Sequence, residues 1–503
     1  MSPGRPGATR IAGVVSLIPL VSLALGACAC ACADLEPLPV PVQLIFPTTC
    51  PAWTAVDASG GCQPRGWVLS GAEAGMGPAG ARAASAAIDG HGKAVLGWEV
   101  DAPGVSGIVV AEEGAAGVFT LRSPTIQVAT NPIIANAGQT HVAAGADGAA
   151  VVTWSQGGGN NIGYIFASAR DAAGHWIDPA TPADSFSFQP KAYQPFVVTS
   201  PRSEWILAWN QWYDANYGIA LARRRPGQTT WTRPKQGDDV LSVPIFYSNA
   251  PQVALDSRGA GLIVWFQSTG GPLMVYASER ATADGEFSHP AKDDFLSAAG
   301  APVDSHPIAN PRPALSEQGE AAVVWTQEDG SGATPVFLAT RGKNGVWSRP
   351  KGLGDSFSPA VGTARCAQLA FGPAGDLTVV WYQDQGEGDA VFAARRDAAG
   401  HWFDDGKHPV RLSAADAIAD APALAVGPGG GVIAAFAEEA KGQGRIVARR
   451  TGAALPWSDE EPLSPEGQGV ADPAVAIGPG DRAVVAWAQG PFGKARIATA
   501  RVE

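Results

Sequence analysis

Basic clusters, histidine motifs and helical periodicity are all scarce in this 503-residue sequence, and each shortage removes a class of function. Lys and Arg number 35 against 47 Asp and Glu, so the net charge is −12 and no basic face is left for the phosphates of a nucleic acid. The seven His are scattered, without the H-x-H or H-E-x-x-H spacing of a metal site. We therefore expect no nucleic-acid partner, no metal and no cofactor.

Catalytic signatures are missing as well. The sequence has neither a G-x-S-x-G nucleophile elbow nor a D-x-D-x-D-G calcium loop, and its acidic residues are too dispersed to nominate a facing pair. Its short basic runs, Arg223–Arg225, Arg395–Arg396 and Arg449–Arg450, recur at one position of a repeat, the end of a predicted strand. We interpret these runs as solvated strand ends.

The strongest positive pattern is an internal repeat of about 55 residues. A clear copy is 313–327, PALSEQGEAAVVWTQ, which reads as an apolar strand, a turn with Gly, a β-branched strand ending in Trp, and a Gln two residues later. A period of this length is typical of propellers and solenoids. Eight copies can be followed through their anchor residues, which are Trp98, Trp154, Trp209, Trp265, Trp325, Trp381, Phe436 and Trp487.

The second half of the repeat predicts two further strands, because an aromatic residue follows a turn at a regular distance after each of the first seven anchors. The eighth repeat stops after its third strand, whereas Trp67–Ser70 (WVLS) supplies an unpaired copy of the fourth. A strand from the N-terminus can close the last unit and remove both sheet edges. The sequence therefore predicts an all-β, eight-bladed β-propeller over 66–503, with seven blades if a weak first or seventh copy is not counted.

The N-terminal segment predicts export. Residues 1–33 combine basic residues, an apolar stretch and small residues, and the sequence before Cys28 resembles a bacterial lipobox, which implies that Cys28 is lipidated. The alternative is cleavage at Ala31-Cys32-Ala33 and secretion. Residues 34–65 read as a Pro-rich tether, in which Cys50 and Cys62 are expected to form a small disulfide loop. We expect an exported protein that is anchored at the outer membrane or cell surface.

The anchor Trp residues are interpreted as filler between neighbouring sheets, since a large aromatic at one repeat position suits that wedge. A Gln follows the anchor by two residues in six copies (Gln156, Gln211, Gln267, Gln327, Gln383 and Gln489). Its amide can satisfy loop backbone groups at the strand end. The other interpretation is a polar rim presented to a sugar or a peptide.

Two turns resemble the Asp-boxes of the sialidase superfamily. They are Asp171-Ala-Ala-Gly-His-Trp176 and Asp397-Ala-Ala-Gly-His-Trp402, with the Asp and Trp spacings each displaced by one residue and the Ser missing. Asp-boxes are fold elements remote from the active site, so the resemblance implies a propeller. The R-I-P context of a sialidase's first arginine is absent.

The third repeat departs from the others after its anchor Trp209, where an aromatic and amide cluster replaces a Gly-rich linker. Aromatics beside amides and a carboxylate are common in carbohydrate sites, and repeat proteins carry function on the loops of one face. A local packing plug is the other interpretation. The candidate binding residues are Gln211, Trp212, Tyr213, Asp214 and Tyr217.

Residues 66–503 as a whole resemble bacterial exported β-propellers built from Trp-anchored, loosely Asp-box-like repeats. The resemblance implies a non-catalytic, monomeric cell-envelope binding protein whose partner is a glycan or an envelope protein. The alternatives are a glycoside hydrolase of the sialidase superfamily and a scaffold in an envelope assembly. An enzyme predicts an acidic, Arg-lined pocket at the central opening, a lectin predicts exposed aromatics near Trp212, and a scaffold predicts a broad apolar face.

Overall fold

The computed structural model is an all-β protein, as predicted. It describes residues 53–56, 62–70, 76–102, 105–114, 117–122, 126, 136–158, 162–243, 247–303, 311–384, 386, 388–403, 409–452 and 455–502.

The strands form eight small antiparallel sheets, the blades, and one separate hairpin. The hairpin is β1 (Thr54–Val56) with β2 (Cys62–Pro64), and β3 (Trp67–Ser70) follows. Blade 1 has β4 (Ala81–Ile88), β5 (Ala94–Ala102), β6 (Val105–Glu113) and β7 (Phe119–Leu121). Blade 2 has β8 (Asn136–Ala144), β9 (Ala150–Gly158), β10 (Ile162–Arg170) and β11 (Trp176–Ile177). Blade 3 has β12 (Ala192–Thr199), β13 (Trp205–Tyr213) and β14 (Asn216–Arg224).

Blade 4 has β15 (Ser248–Leu255), β16 (Gly261–Gln267) and β17 (Met274–Arg280). Blade 5 has β18 (Arg312–Leu315), β19 (Ala321–Thr326), β20 (Val336–Arg341) and β21 (Trp347–Ser348). Blade 6 has β22 (Ala364–Phe371), β23 (Leu377–Asp384), β24 (Asp389–Arg396) and β25 (Val410–Arg411). Blade 7 has β26 (Ile418–Val426), β27 (Val432–Ala440), β28 (Gln443–Thr451) and β29 (Glu461–Pro462). Blade 8 has β30 (Val470–Ile477), β31 (Ala483–Gln489), β32 (Arg496–Val502) and β3. Single turns of 3-10 helix lie at Pro182–Asp184, Gly237–Asp239 and Pro479–Asp481.

The eight blades form a closed ring around their first strands. Each first strand contacts the first strand of the next blade, and β30 of blade 8 contacts β4 of blade 1. The second strands are continuous apolar runs because both of their faces are covered by neighbouring blades, and every residue of β16 is buried. All eight anchors, Phe436 included, are at most 1% exposed, which confirms them as wedge filler.

The N-terminal strand completes blade 8, as predicted. Antiparallel pairing places Trp67 opposite Val502 and Ser70 opposite Thr499, so β3 occupies the position of the missing fourth strand. The weak first and seventh repeats both form four-stranded sheets, which settles the count at eight blades and not seven. The shortfall lies in blades 3 and 4, whose fourth strands are each reduced to one bridge, Arg223 with Thr232 and Tyr276 with Phe295.

The arginines of the three basic runs are buried or half-buried, apart from the exposed Arg225, so their interpretation as solvated strand ends is wrong. Several third-strand arginines instead join neighbouring blades. Arg280 of blade 4 binds Glu204 of blade 3, with 2.8 and 2.6 Å between nitrogen and oxygen, and both side chains are at most 1% exposed. Arg395 of blade 6 donates to the Thr451 hydroxyl and the Gly452 carbonyl of blade 7. Charges buried in this way need a partner, and the adjacent blade supplies it.

The closing strand gives a direct test of the ring. Val68 and Leu69 are 41% and 47% exposed, so their side chains contribute little packing. Every second N–H of an edge strand points at its partner, and replacing both residues with Pro must therefore remove at least one hydrogen bond to β32. We expect the Val68→Pro/Leu69→Pro protein to lose roughly 1–3 kcal/mol of unfolding free energy in urea titrations. The matched Val68→Ala/Leu69→Ala protein should stay near wild type, and equal loss in both would contradict closure through the backbone.

Candidate functional site

The central opening is lined by first strands that share an irregular backbone. In seven blades a residue other than Gly has a positive φ of 49° to 59° at one repeat position, and the strand register shifts there. This left-handed conformation is strained for L-residues and recurs where the fold requires it. The seven residues are Ala83, Gln139, Gln194, Ala250, Cys366, Ala421 and Asp472.

These bulges connect neighbouring blades through side chain to backbone hydrogen bonds. The Gln139 side-chain oxygen accepts from the N–H of Gln194 at 2.7 Å, and the Gln194 side-chain oxygen accepts from the N–H of Ala250 at 3.0 Å. Asp472 accepts from the N–H of Ala83 at 3.0 Å, which joins blade 8 to blade 1. The bulge residue of blade 1 is Ala83, whose side chain cannot accept a hydrogen bond. Glu99 of the same blade accepts from the N–H of Gln139 of blade 2 in its place.

The Gln residues after the anchors are structural, and the polar-rim interpretation is wrong for them. In six blades the Trp indole N–H donates to the Gln oxygen at 2.9 to 3.2 Å. The Gln327 amide donates in turn to the carbonyls of Ala298 and Ala301. Blade 1 has Val100 at this position, and the indole N–H of Trp98 has no hydrogen-bond partner among the described residues.

The residue three positions after each anchor differs in chemical type from blade to blade. We call this the rim position, and the end of the ring at which the first strands begin and the second strands end is the upper face. Rim residues pair with third-strand residues at Asp101–Ser106, Gly157–Gly163, Trp212–Tyr217, Asp384–Asp389 and Glu439–Gly444. Blade 3 therefore presents an aromatic pair and blade 6 a carboxyl pair.

Four aromatic side chains form a cluster on blades 3 and 4, which we call the aromatic platform. The ring centroid of Tyr217 is 4.9 Å from that of Trp212, 5.8 Å from that of Tyr247 and 6.5 Å from that of Tyr193. The Nζ atom of Lys191 lies 4.5 Å from the centre of the Trp212 ring. Tyr247 is 41% exposed, so the platform is open to a ligand.

The structure separates the five candidate residues of the third repeat. Trp212 and Tyr217 belong to the platform, whereas Asp214 lies in an exposed turn at a φ of 42°. Gln211 is fully buried and accepts from the Trp209 indole, and Tyr213 is buried against Gly218 and Gly237. Alternate residues of a strand point to opposite faces, so the odd-numbered positions 211 and 213 cannot join Trp212.

Sequence reasoning missed Tyr193, Tyr247 and Lys191. Tyr193 precedes the bulge residue of β12, and Tyr247 precedes β15 in the next blade. Asn249 donates to the Tyr247 hydroxyl at 2.6 Å, and Asn210 donates to the Asn249 oxygen at 3.1 Å. The available signal was the repeat register, because it places the starts of adjacent first strands side by side.

The carboxyl pair of blade 6 consists of Asp384 and Asp389, both half-buried at the rim. Burial, and then the neighbouring Asp384 carboxylate, raise the pKa of Asp389, while Arg365 opposes the rise. One oxygen of Asp384 accepts the backbone N–H groups of Gly386 and Gly388 at 2.8 and 3.2 Å. Residues directly opposite in antiparallel strands have Cβ atoms about 4.5–5.5 Å apart.

A second acidic group lies inside the opening, at the joint of blades 8 and 1. Glu99 and Asp472 are 2% and 3% exposed, and Arg82 binds Glu99 at 3.1 Å. Burial raises the pKa of Asp472 to about 6 and also raises the pKa of Glu99. One Asp472 oxygen accepts from Ala83, and the other has no hydrogen-bond partner among the described residues. Because both carboxyls are enclosed, they act on the ring and not on a substrate.

The lower face of the ring offers a shallow depression between the ends of the first strands, lined by Ile88, Ala144, Pro428 and Gly478 among others. Its carboxylate, Asp89, binds Arg170 at 2.8 Å and also accepts backbone N–H groups. The hydrogen bonds and the ion pair of Asp89 hold the ring together and leave this carboxylate unavailable to a ligand. We therefore place the candidate site on the upper face.

The Asp-box-like turns are turn elements, as expected. Asp171 accepts the N–H groups of Ala173 and His175, and Asp397 repeats this arrangement in blade 6. Backbone hydrogen bonds lower the pKa of both aspartates.

The predicted modification sites fall largely outside the described residues. Cys28 and Cys50 both lie outside the described residues, so lipidation of Cys28 and the Cys50–Cys62 disulfide stay predictions. In the described part of the chain no helix is long and apolar enough to cross a membrane. The same part contains no group of three or more His, Cys, Asp or Glu side chains arranged to hold a metal ion.

The hydrogen bond between the anchor Trp and its Gln predicts the effect of placing the valine of blade 1 at the equivalent Gln position of blade 5. Gln327→Val leaves the Trp325 indole, the Ala298 N–H and two carbonyls without their partner, and we expect a loss of about 2–4 kcal/mol in urea unfolding. Val100→Ala removes only methyl groups and should cost about 1 kcal/mol. Equal losses would show that the amide contributes nothing.

Asp472 predicts a pH-dependent difference in stability. Its folded pKa of about 6 lies above the ordinary 3.8, so its protonated form is favoured by folding and the benefit is lost as pH rises through 6. Asp472→Asn keeps an oxygen for the Ala83 N–H and cannot ionise. We expect equal stability near pH 3.5 and a gain of roughly 3 kcal/mol for the variant above pH 7. Urea midpoints from pH 3.5 to 8 measure this, and a pH-independent difference would contradict it.

No protein-family model and no curated protein matches the chain. Similar solved structures include a protein of unknown function from Dyadobacter fermentans, at 15% identity over 75% of this chain and 97% of that one, with a TM-score of 0.39. A polysaccharide lyase is 10% identical over 78% and 94% of the two chains, with a TM-score of 0.43. An α-L-arabinofuranosidase of Fusarium graminearum is 13% identical over 74% and 93%, with a TM-score of 0.37.

The expectation of a non-catalytic binding protein is corrected: the solved structures to which the chain is similar include a polysaccharide lyase and a glycoside hydrolase. At these identities the similarity shows the fold alone.

Proposed function

We propose that this protein is a glycoside hydrolase that cleaves a glycan at the upper face of the propeller. The observation that carries the proposal is the Asp384–Asp389 pair, two half-buried carboxyl groups on directly opposed residues of one blade tip. Glycoside hydrolysis requires two carboxyl groups that flank the scissile bond. Unlike Glu99 and Asp472, this pair reaches the surface.

The two aspartates suit different roles because their surroundings differ. The raised pKa of Asp389 keeps its proton available to the leaving-group oxygen, as a general acid requires. Asp384 is the carboxylate whose charge contributes to that rise, and it serves as the nucleophile that binds the anomeric carbon. Water, which gives its proton to Asp389, then cleaves this ester and releases the sugar. Directly opposed residues have Cβ atoms about 4.5–5.5 Å apart. We assign the retaining mechanism to this close pair, because inverting enzymes need room for a water between their carboxyl groups.

The charge of Arg365 fits the same chemistry. Arg365 lies on the first strand of blade 6, and its charge lowers the pKa of Asp389 against the effects of burial and of Asp384. A cation beside two carboxyl groups stabilises the negative charge that returns to Asp389 after proton transfer.

The aromatic platform supplies sugar binding on the same face. Trp212 and Tyr217 occupy in blade 3 the paired positions that Asp384 and Asp389 occupy in blade 6. Aromatic rings offer apolar faces for stacking against the C–H faces of sugars. An extended glycan can therefore meet the platform and the carboxyl pair from one side of the ring. The export segment supports an enzyme that works outside the cytoplasm, held through Cys28 and the Pro-rich tether of 34–65.

The proposal is tested by hydrolysis assays on a panel of neutral, amino and acidic polysaccharides, with detection of new reducing ends. Asp389→Asn and Asp384→Asn should each lower kcat by about 100- to 10,000-fold. Wild-type activity should fall as pH rises through the pKa of Asp389, because the acid must be protonated. Trp212→Ala should raise KM about three- to tenfold and change kcat little. Glu439→Gln is the matched control, since this exposed rim residue of blade 7 has no carboxyl partner.

The roles of the two aspartates are separated with an activated aryl glycoside, whose leaving group needs no proton. In Asp389→Asn the release of the first equivalent of aryl alcohol should stay near wild type and added azide should restore turnover, because the glycosyl-enzyme otherwise lacks its base, whereas Asp384→Asn should remain inactive. Products with ultraviolet absorbance from a new double bond would show elimination in place of hydrolysis. Full activity in both Asn variants would overturn the proposal.

A further inference from the structure

The face of Trp212 is already covered by a cation from its own chain. The Nζ atom of Lys191 lies 4.5 Å from the ring centre, and no carboxylate of the described residues pairs with this amine. The backbone enforces the arrangement, because Lys191 has a φ of 71° and its carbonyl accepts the N–H of Trp212 at 2.9 Å. Gln189 donates to the Trp212 carbonyl on the other side. The indole therefore carries an ammonium group on its open face.

The three tyrosines extend this face into a partial cage. Tyr217 contacts Trp212 and Tyr247 edge-on, at interplanar angles of 69° and 76°. The Tyr247 hydroxyl is fixed by Asn249, and the Tyr193 hydroxyl has no hydrogen-bond partner among the described residues. Aromatic faces with hydroxyl oxygens at their edges attract ammonium groups.

The rim residues, like the aromatic platform, favour a positively charged ligand. Rim residues Asp101, Glu328 and Glu439 are exposed and Asp384 is half-buried, while the other rim residues are Gly157, Trp212, Ser268 and Gly490. No Lys or Arg occupies a rim position. A glycan that carries negative charge would approach these carboxylates at an electrostatic cost, and one that carries positive charge would gain.

We propose that the platform recognises an amino sugar through its free ammonium group, which takes the place of the Lys191 amine over Trp212. The inference rests on the proposed function and names the substrate class, a glycan with unacetylated amines. Lys191 is an internal competitor that leaves when the ligand enters. The neighbouring sugar stacks on Tyr217 and Tyr247.

The experiment is calorimetric binding to the full chain with Asp389→Asn, which prevents turnover. Glucosamine hexamer and N-acetylglucosamine hexamer form a matched pair, because they differ in the charge of the amine and in its acetyl group, and oligogalacturonate supplies the opposite charge. We expect the glucosamine hexamer to bind at least tenfold more tightly than the other two, and to weaken as salt rises. Adding Trp212→Ala should remove most of the difference.

Lys191→Met separates the proposal from its opposite. It keeps the length of the side chain and removes the competing charge, so binding of the glucosamine hexamer should tighten about threefold or more. If Lys191 instead serves to bind anionic sugars, the same variant will weaken oligogalacturonate, and the proposal fails. Tighter binding of the acetylated or acidic oligomer also overturns the ammonium site and leaves the hydrolase intact. Absence of binding to all three overturns this inference, and activity of the wild-type protein on the polysaccharide panel then decides the proposed function separately.

Discussion

Adjacent blades share no sheet, so the joints of the ring depend mainly on side chains, with a few backbone hydrogen bonds such as that from the Gly90 N–H to the Gly145 carbonyl. Around the opening this constraint is met by the left-handed bulge, which turns a backbone N–H of one first strand towards the side chain of the preceding blade. Farther out, the wedge between sheets is filled by the anchor Trp, whose indole is held by the Gln two residues later. Arginine and glutamate pairs such as Arg280 and Glu204 join the blades still farther from the axis. The repeat is conserved within the chain because each copy must make these joints.

The tips of the blades are free of that requirement, and the chemistry of the protein is concentrated there. The same pair of positions holds two glycines in blade 2, two aromatics in blade 3 and two carboxyl groups in blade 6. A rigid ring thus holds unlike groups on one face at fixed angles. The enclosed carboxyls Glu99 and Asp472 show the contrast, because they lie one layer deeper and serve the joint between blades.

Much of the architecture could be predicted from the sequence because it repeats. The anchor spacing gave the number of blades, and the unpaired WVLS segment gave the closing strand, since a missing element at one end matched a surplus at the other. The interblade ion pairs could not be read in this way. The third-strand arginines look like solvated ends until the neighbouring blade is placed beside them, and only then does Glu204 meet Arg280.

The site was harder to predict because it depends on side-chain direction and on contacts between repeats. Strand alternation separated Trp212 from Gln211 and Tyr213, although all three are neighbours in a polar and aromatic run. Tyr193 and Tyr247 join the platform from 54 residues apart, across the boundary of two blades. The Asp384–Asp389 pair was hidden because a tight turn brings together two acidic residues that the sequence shows merely as close.

The antiparallel pairing of β3 with β32 also bears on how the molecule responds to a mechanical load. A pull on the chain ahead of Trp53 first meets the Trp53 indole, which donates to the Thr451 carbonyl at 2.6 Å and packs beside Arg450. Farther along the chain, β3 is held by its antiparallel pairing with β32, which closes the ring. A load from the N-terminal side therefore meets the Trp53 contact before it reaches the pairing that closes the propeller.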